Sequence, residues 1–171
     1  ICLAKEKKLF LFEAVTTLFH PHFSWVKEHL DAVGDLKMVS CIFCQYSSRY
    51  DAFLRGEMPN IFNPDFAGGC LMDINFYNVY LNVALFGLPK KAVYFPNMAE
   101  GVKVDTSGVL IMQYDGFVSE NTGAKDTWGE NFFLIEGEKG YIYAEGGSCS
   151  LRNLRVVTKD SKESFWGQED E

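Results

Sequence analysis

Gly68-Gly69-Cys70-Leu71-Met72-Asp73-Ile74-Asn75-Phe76-Tyr77 is the stretch whose reading decides what kind of domain this chain forms. Two glycines supply a tight turn with bare backbone. An apolar run of helical composition follows to Phe86 and is stopped by Gly87 and Pro89. At about 100° per residue, Asp73, Tyr77, Tyr80 and Ala84 fall in one stripe. Met72, Phe76, Val79, Val83 and Phe86 fill one flank, Ile74, Leu81 and Leu85 the other, and Asn75, Asn78 and Asn82 lie opposite. A helix apolar on both flanks is expected to be largely buried, so its carboxylate needs a partner or a task. Two readings fit. Asp73 is favoured by the helix dipole in a first turn and the tyrosines are core residues, or an acid and a phenol have been brought together for chemistry.

Upstream, Leu9 to Ala14 reads as a short buried strand. Pro21 opens an amphipathic helix to about Val33, with Phe23, Val26 and Leu30 on its apolar side and Gly34 as its stop. Leu36 to Tyr46 is a long strand, followed by a polar and aromatic loop from Ser47 to Ala67, long enough to suggest a functional role. Downstream, Lys91–Pro96, Lys103–Tyr114, Phe117–Ala124, Asn131–Glu136, Gly140–Glu145 and Ser148–Val157 read as successive strands. Asp115-Gly116 and the 137–140 segment are hairpin connectors, which favours antiparallel pairing. The fold class expected is α+β, a mainly antiparallel open sheet with helices packed on one face. The other face must meet water or another subunit, and its apolar and aromatic content predicts a homo-oligomer. Residues 159–171 read as a polar tail, which Phe165 and Trp166 could anchor to the sheet or to a missing helix.

The chain has 171 residues, 47% of them hydrophobic, enough for one main domain with a sizeable core. A net charge of −7 argues against nucleic acid and anionic membrane surfaces. No apolar stretch reaches the roughly 20 residues of a membrane span. Cys2, Cys41, Cys44, Cys70 and Cys149 are an odd set scattered on apolar patterns, which predicts reduced thiols in the cytoplasm. Cys41 and Cys44 fall on opposite faces of a strand, and no second pair or nearby histidine accompanies them, so no metal site is expected. His20, His22 and His29 lack a helical metal signature. The opening Ile1-Cys2-Leu3-Ala4-Lys5-Glu6-Lys7-Lys8 is not a signal peptide and has no initiator methionine, which suggests a start inside a larger protein.

Glu13-Ala14 closing a strand, His20-Pro21 opening the next helix, Gly68-Gly69-x-x-x-Asp73-x-x-x-Tyr77 and Leu85-Phe86-Gly87 together resemble the C-terminal part of the glucose-fructose oxidoreductase/inositol dehydrogenase/MocA superfamily. Leu11-Phe12-Glu13-Ala14, and Tyr77 where histidine is the alternative, are more similar to its dihydrodiol dehydrogenase branch. The resemblance implies a fold like the C-terminal domain of glyceraldehyde-3-phosphate dehydrogenase, preceded by the last strand of a truncated Rossmann domain. It divides the chain into a nucleotide-domain remnant (1–17), a substrate-binding and dimerisation domain (18–158) and a tail (159–171). It further implies an NAD(P)-dependent oxidoreductase that moves hydride between nicotinamide and a sugar, polyol or diol. Tyr77 would be the acid/base group, Asp73 its supporting carboxylate, and NAD or NADP would bind elsewhere in the full-length protein.

The resemblance places substrate contacts on the loop before the motif helix, at Arg49, Asn60, Phe62 and Asn63. Against this, Arg49 could pair with Asp51 or Asp65, and Phe62 could be a core plug. A tyrosine base near neutrality needs a cationic neighbour. The Lys of the family's Glu-Lys-Pro motif would supply it, and Glu6-Lys7-Lys8 is not that motif. Without it, and without a glycine-rich phosphate turn, the isolated chain is expected to be inactive. The competing expectation is a non-catalytic homo-oligomerisation or protein-binding module, in which the motif helix is merely core.

Overall fold

The computed structural model describes residues 1–12 and 14–165; Glu13 and residues 166–171 lie outside it, as do the side chains of Ser164 and Phe165. The tail contacts expected of Phe165 and Trp166, and the strand end at Glu13, therefore fall outside the described residues.

Eight strands form a single sheet: β1 (Leu36–Cys44), β2 (Lys91–Met98), β3 (Asp105–Gln113), β4 (Val118–Ala124), β5 (Phe132–Gly137), β6 (Gly140–Glu145), β7 (Arg152–Thr158) and β8 (Lys162–Phe165). Their spatial order is β2-β3-β4-β1-β5-β6-β7-β8. Every neighbouring pair is antiparallel except β1 with β4, where Met38 lies beside Val118 and Cys44 beside Ala124. The hairpin predicted at Asp115-Gly116 forms, with Gly116 at φ 86° and the Tyr114 amide bonded to the Phe117 carbonyl at 3.0 Å. The six downstream strands match those predicted by alternation, and β8 is an addition within the presumed tail, paired through Leu154 with Phe165 and Val157 with Lys162.

The helices are α1 (Cys2–Lys7), α2 (Pro21–His29), α3 (Tyr50–Leu54), α4 (Cys70–Asp73) and α5 (Asn75–Phe86). Pro21 occupies the first turn of α2, which continues as a 3-10 turn over Leu30–Val33 and ends at Gly34 with φ 73°. Helices α2 and α5 cover one sheet face. Trp25, Val26, Val33 and Leu81 pack there with Val39, Phe133, Ile135, Ile142 and Leu154. No described helix is long and apolar enough to cross a membrane.

Two expectations need correction. Leu9 to Phe12 is no strand: these residues pair with none of the eight strands, and Phe10 and Phe12 are 89% and 82% exposed. An apolar run becomes a strand only in a ladder that satisfies its backbone, and no such partner forms within the described residues. The motif helix is also not one continuous helix, and although Ile74 and Leu81 of one apolar flank are buried as expected, the other flank is not. The helix breaks at Ile74 (φ −98°, ψ −53°) into α4 and α5, Met72 is 58% exposed, and the fully buried side is the polar one, Asn75, Asn78 and Asn82.

That inversion has a hydrogen-bonding cause. Asn75 Nδ2 donates to the Asn121 carbonyl at 2.9 Å, and Asn78 Nδ2 to the Thr122 carbonyl at 2.9 Å. Asn82 Nδ2 donates to Asn121 Oδ1 at 2.7 Å, while Ser119 Oγ donates to Asn82 Oδ1 at 2.7 Å. Ser148 Oγ closes the network on Asn78 Oδ1 at 2.5 Å. Every buried amide is thereby satisfied, so the polar face can lie on the sheet without the penalty for unpaired groups. The approach is close: a Cβ on Gly123 would stand 2.8 Å from Asn75 Cβ and 2.9 Å from Cys70 Sγ. Gly123→Ala should therefore lower the unfolding free energy by about 1–3 kcal/mol, the usual cost of overpacking. Urea unfolding measures it, and a loss below a few tenths of a kcal/mol would show that helix and strand separate easily.

Candidate functional site

The two glycines of the motif act by bringing three segments together. Gly69 has φ 122°, and a Cβ there would lie 2.2 Å from Asp105 Oδ1, so only glycine lets that carboxylate reach the start of α4. Asp105 Oδ2 accepts from the Leu71 N–H at 2.7 Å and from the Tyr94 hydroxyl at 2.5 Å. Burial, with that bond to Asp105, pushes the Tyr94 phenol well above the usual tyrosine range. On the other side, the Gly68 N–H donates to the Asn63 carbonyl and the Gly69 N–H to the Ile61 carbonyl, both at 2.9 Å.

Asp73 closes α4, and its Oδ2 receives Lys125 Nζ at 2.5 Å. Lys125 is 1% exposed. Its ammonium also donates to the Ile61 carbonyl at 2.9 Å and lies 4.7 Å from the centre of the Phe62 ring. Tyr77, in the first turn of α5, is half-buried with its ring edge-on to Phe43 at 6.1 Å. Asp73, Tyr77 and Lys125 line one cavity of about 290 Å³, together with Gln45, Ser47 and Ser48. Phe43, Ile61, Ile74 and Cys149 complete its wall. That volume suits a single sugar-sized ring, with several hydroxyl-bonding groups around it.

The sequence reading named Asp73 and Tyr77, and the structure brings them to one cavity despite the break between them. Of the four loop residues it proposed, none lines this cavity. Arg49 and Asn60 border an adjoining groove of about 440 Å³, and Asn60 also borders a shallower one beside Asp73. Phe62 is fully buried, stacked on Phe53 at 4.7 Å, so it supports the cavity from beneath. Asn63 caps a 3-10 turn, its Oδ1 accepting from the Asp65 N–H at 2.9 Å.

Lys125, a buried cation paired with Asp73, was not named from the sequence, and neither was the polar wall at Gln45 and Ser47. A signal for both existed in strand parity. Val39, Cys41 and Phe43 face the helices, and the same alternation carried beyond β1 reaches Gln45 and Ser47. Ser119, Asn121 and Gly123 of β4 lead in the same way to Lys125. The Gln45 N–H donates to the Ala124 carbonyl and the Ser47 N–H to the Lys125 carbonyl, both at 2.8 Å, so the two chains stay paired beyond their strands.

Burial disfavours the thiolate at Cys41, Cys70 and Cys149. Burial pushes the Cys149 thiol above its ordinary value, and Cys70 up to about 12. Burial raises Cys41 further, and its Sγ donates to Asn78 Oδ1 at 3.1 Å. No cluster of three or more His, Cys, Asp or Glu side chains among the described residues could hold a metal ion.

Comparison with known proteins adds to this geometry. A family model described as the GFO/IDH/MocA C-terminal domain matches residues 23–143. The scyllo-inositol 2-dehydrogenase (NADP(+)) IolU of Bacillus subtilis is 40% identical over 142 residues, 83% of this chain and 43% of that protein. The uncharacterized oxidoreductase YgjR of Escherichia coli is 42% identical over 144 residues, 79% of this chain and 43% of that protein. The chain thus spans less than half the length of either curated relative. Among solved structures, a 3-ketoreductase from Actinomadura kijaniata, in complex with NADP and TDP-benzene, superposes with a TM-score of 0.77 at 19% identity, over 96% of this chain and 51% of that one. The WlbA dehydrogenase from Bordetella pertussis, in complex with NADH and UDP-GlcNAcA, gives 0.70 at 17%, over 96% and 46%. At those identities the likeness to both structures is one of fold.

Proposed function

We propose a function from one premise: the chain belongs to the GFO/IDH/MocA C-terminal domain family. In the full protein it forms the substrate-binding and homo-oligomerising half of an NAD(P)-dependent oxidoreductase that acts on a sugar, polyol or related diol. The observation that carries this reading is the convergence of Asp73, Tyr77, Lys125 and the Gln45, Ser47 and Ser48 side chains on one ring-sized cavity. The curated relative named for a substrate is an inositol dehydrogenase, which favours a polyol over an aromatic diol.

The sequence has no glycine-rich phosphate turn of the kind that cradles a dinucleotide. Its site belongs, in this reading, to another part of the protein, and its nicotinamide supplies the hydride exchange at the carbinol carbon. This chain moves the proton. As the carbinol carbon gives up its hydride and becomes a carbonyl, the hydroxyl proton passes to the deprotonated Tyr77 oxygen; in reduction the Tyr77 phenol returns it. Asp73 accepts a hydrogen bond from a substrate hydroxyl and sets the reacting carbon beside Tyr77. No α1 side chain is buried and Leu9 to Phe12 lies exposed, which suits this stretch to contact with the nucleotide-binding domain.

The sheet face opposite the helices is the oligomer interface. Phe95 and Met38 stand 61% and 50% exposed there, beside Val93 and Ile111. Five free thiols fit a cytoplasmic protein. The test is one preparation of the full-length protein, assayed for NAD(P)H formation with scyllo-inositol and a panel of polyols and sugars, and sized by light scattering. Turnover with at least one polyol and a mass of two or more copies are expected. No turnover with any of them sinks the catalytic reading, and a monomer at micromolar concentration sinks the interface.

A further inference from the structure

Lys125 is the only charged side chain buried among the described residues, and three protein groups surround its ammonium. Nζ donates to Asp73 Oδ2 at 2.5 Å and to the Ile61 carbonyl at 2.9 Å, and it lies 4.7 Å from the centre of the Phe62 ring. The partners come from two different places, the break between α4 and α5 and the loop before the motif glycines, and Lys125 itself follows the end of β4. The same Ile61 carbonyl also accepts the Gly69 N–H, so the loop, the motif turn and the sheet meet at one ammonium.

Stability alone is a poor reason for such a lysine. Desolvating an ammonium is costly, and well-packed apolar residues often replace a buried ion pair without loss. The pair is also lopsided: the lysine side chain is 1% exposed, whereas that of Asp73 is 47% exposed and opens on the cavity. Among the described residues Asp73 Oδ1 takes no hydrogen bond, while Oδ2 is held. A carboxylate gripped by one oxygen and free at the other is set to accept a hydroxyl.

We infer that Lys125 is a positioning residue of the reaction, acting through Asp73: it balances the carboxylate, fixes Oδ2 and leaves Oδ1 aimed at the substrate hydroxyl. This rests on the reading of Asp73 and Tyr77 given above. It separates two roles that a lysine in a dehydrogenase cavity could take, direct contact with the substrate and support of the carboxylate, and assigns Lys125 the second.

The test is a double-mutant cycle in the full-length protein, with kcat/KM for the best polyol as readout and NADPH affinity as control. Asp73→Asn and Lys125→Met should each lower kcat/KM by about 10²–10³-fold, and the double variant should fall no more than about three-fold below the weaker single one. Cofactor affinity should stay unchanged. The double variant carries no unpaired buried charge and so also reports on folding; where Lys125→Met does not fold, Lys125→Gln, which keeps a donor for Ile61, takes its place. Additive losses, about 10⁴–10⁶-fold in the double variant, or a Lys125→Met enzyme at wild-type rate, overturn the inference and leave the catalytic reading standing. A wild-type protein with no NAD(P)-linked turnover overturns both.

Discussion

Tyr77→Phe will lower turnover of the full-length protein by about 10²–10⁴-fold, the usual contribution of a positioned acid or base, with cofactor affinity within about two-fold of wild type. The substitution removes one oxygen and nothing else of consequence. The ring keeps its edge-on contact with Phe43 at 6.1 Å and with Phe76 at 5.8 Å, and no protein group takes a hydrogen bond from the phenol among the described residues. Stability should therefore change by less than about 0.5 kcal/mol. Steady-state kinetics and nicotinamide fluorescence titration separate the outcomes. A rate loss at constant cofactor affinity places the proton on Tyr77. Unchanged turnover would remove Tyr77 from the chemistry, and a protein without turnover at all would leave the non-catalytic association module as the better account.

Strands were legible in this sequence because alternation is a local signal: Tyr141-Ile142-Tyr143-Ala144 and Leu154-x-Val156 declare their faces within a few residues. Helix ends at Gly34 and Gly87 were legible for a similar reason, since both adopt positive φ. What could not be read was pairing at a distance. The central place of β1 and its parallel contact with β4 depend on a strand 80 residues away, as in Met38 beside Val118. Leu9 to Phe12 has strand composition but no ladder here, and composition cannot supply one. The site shows the same division. Asp73 and Tyr77 were found because four residues separate them, whereas Lys125 is 52 residues from Asp73 and belongs to another element. The phenylalanine chosen as a substrate contact proved to be the floor beneath that lysine.

The rotation of α5 is where packing and chemistry meet, and it sets the second large expectation. Apolar content alone turns this helix the wrong way, because amide-to-strand hydrogen bonds outweigh the preference to bury its flanks. With Asn75, Asn78 and Asn82 held on the sheet, Tyr77 stands about 100° around the axis from Asn78, at the cavity edge. Asn78→Ala should cost about 3–5 kcal/mol, since it removes a fully buried side chain and strands several partners at once. Those partners are the Thr122 carbonyl at 2.9 Å, Asn75 Oδ1 at 2.9 Å, Ser148 Oγ at 2.5 Å and Cys41 Sγ at 3.1 Å. Urea unfolding reads the loss as a lower midpoint at constant slope. The effect should also reach the cavity, because Ser148 anchors the segment that carries Cys149 into its wall. Under conditions where the variant remains folded, turnover should fall while cofactor affinity holds. A loss of stability under about 1 kcal/mol would mean that water takes over the stranded groups. In that case the asparagines would not be what holds Tyr77 toward the substrate.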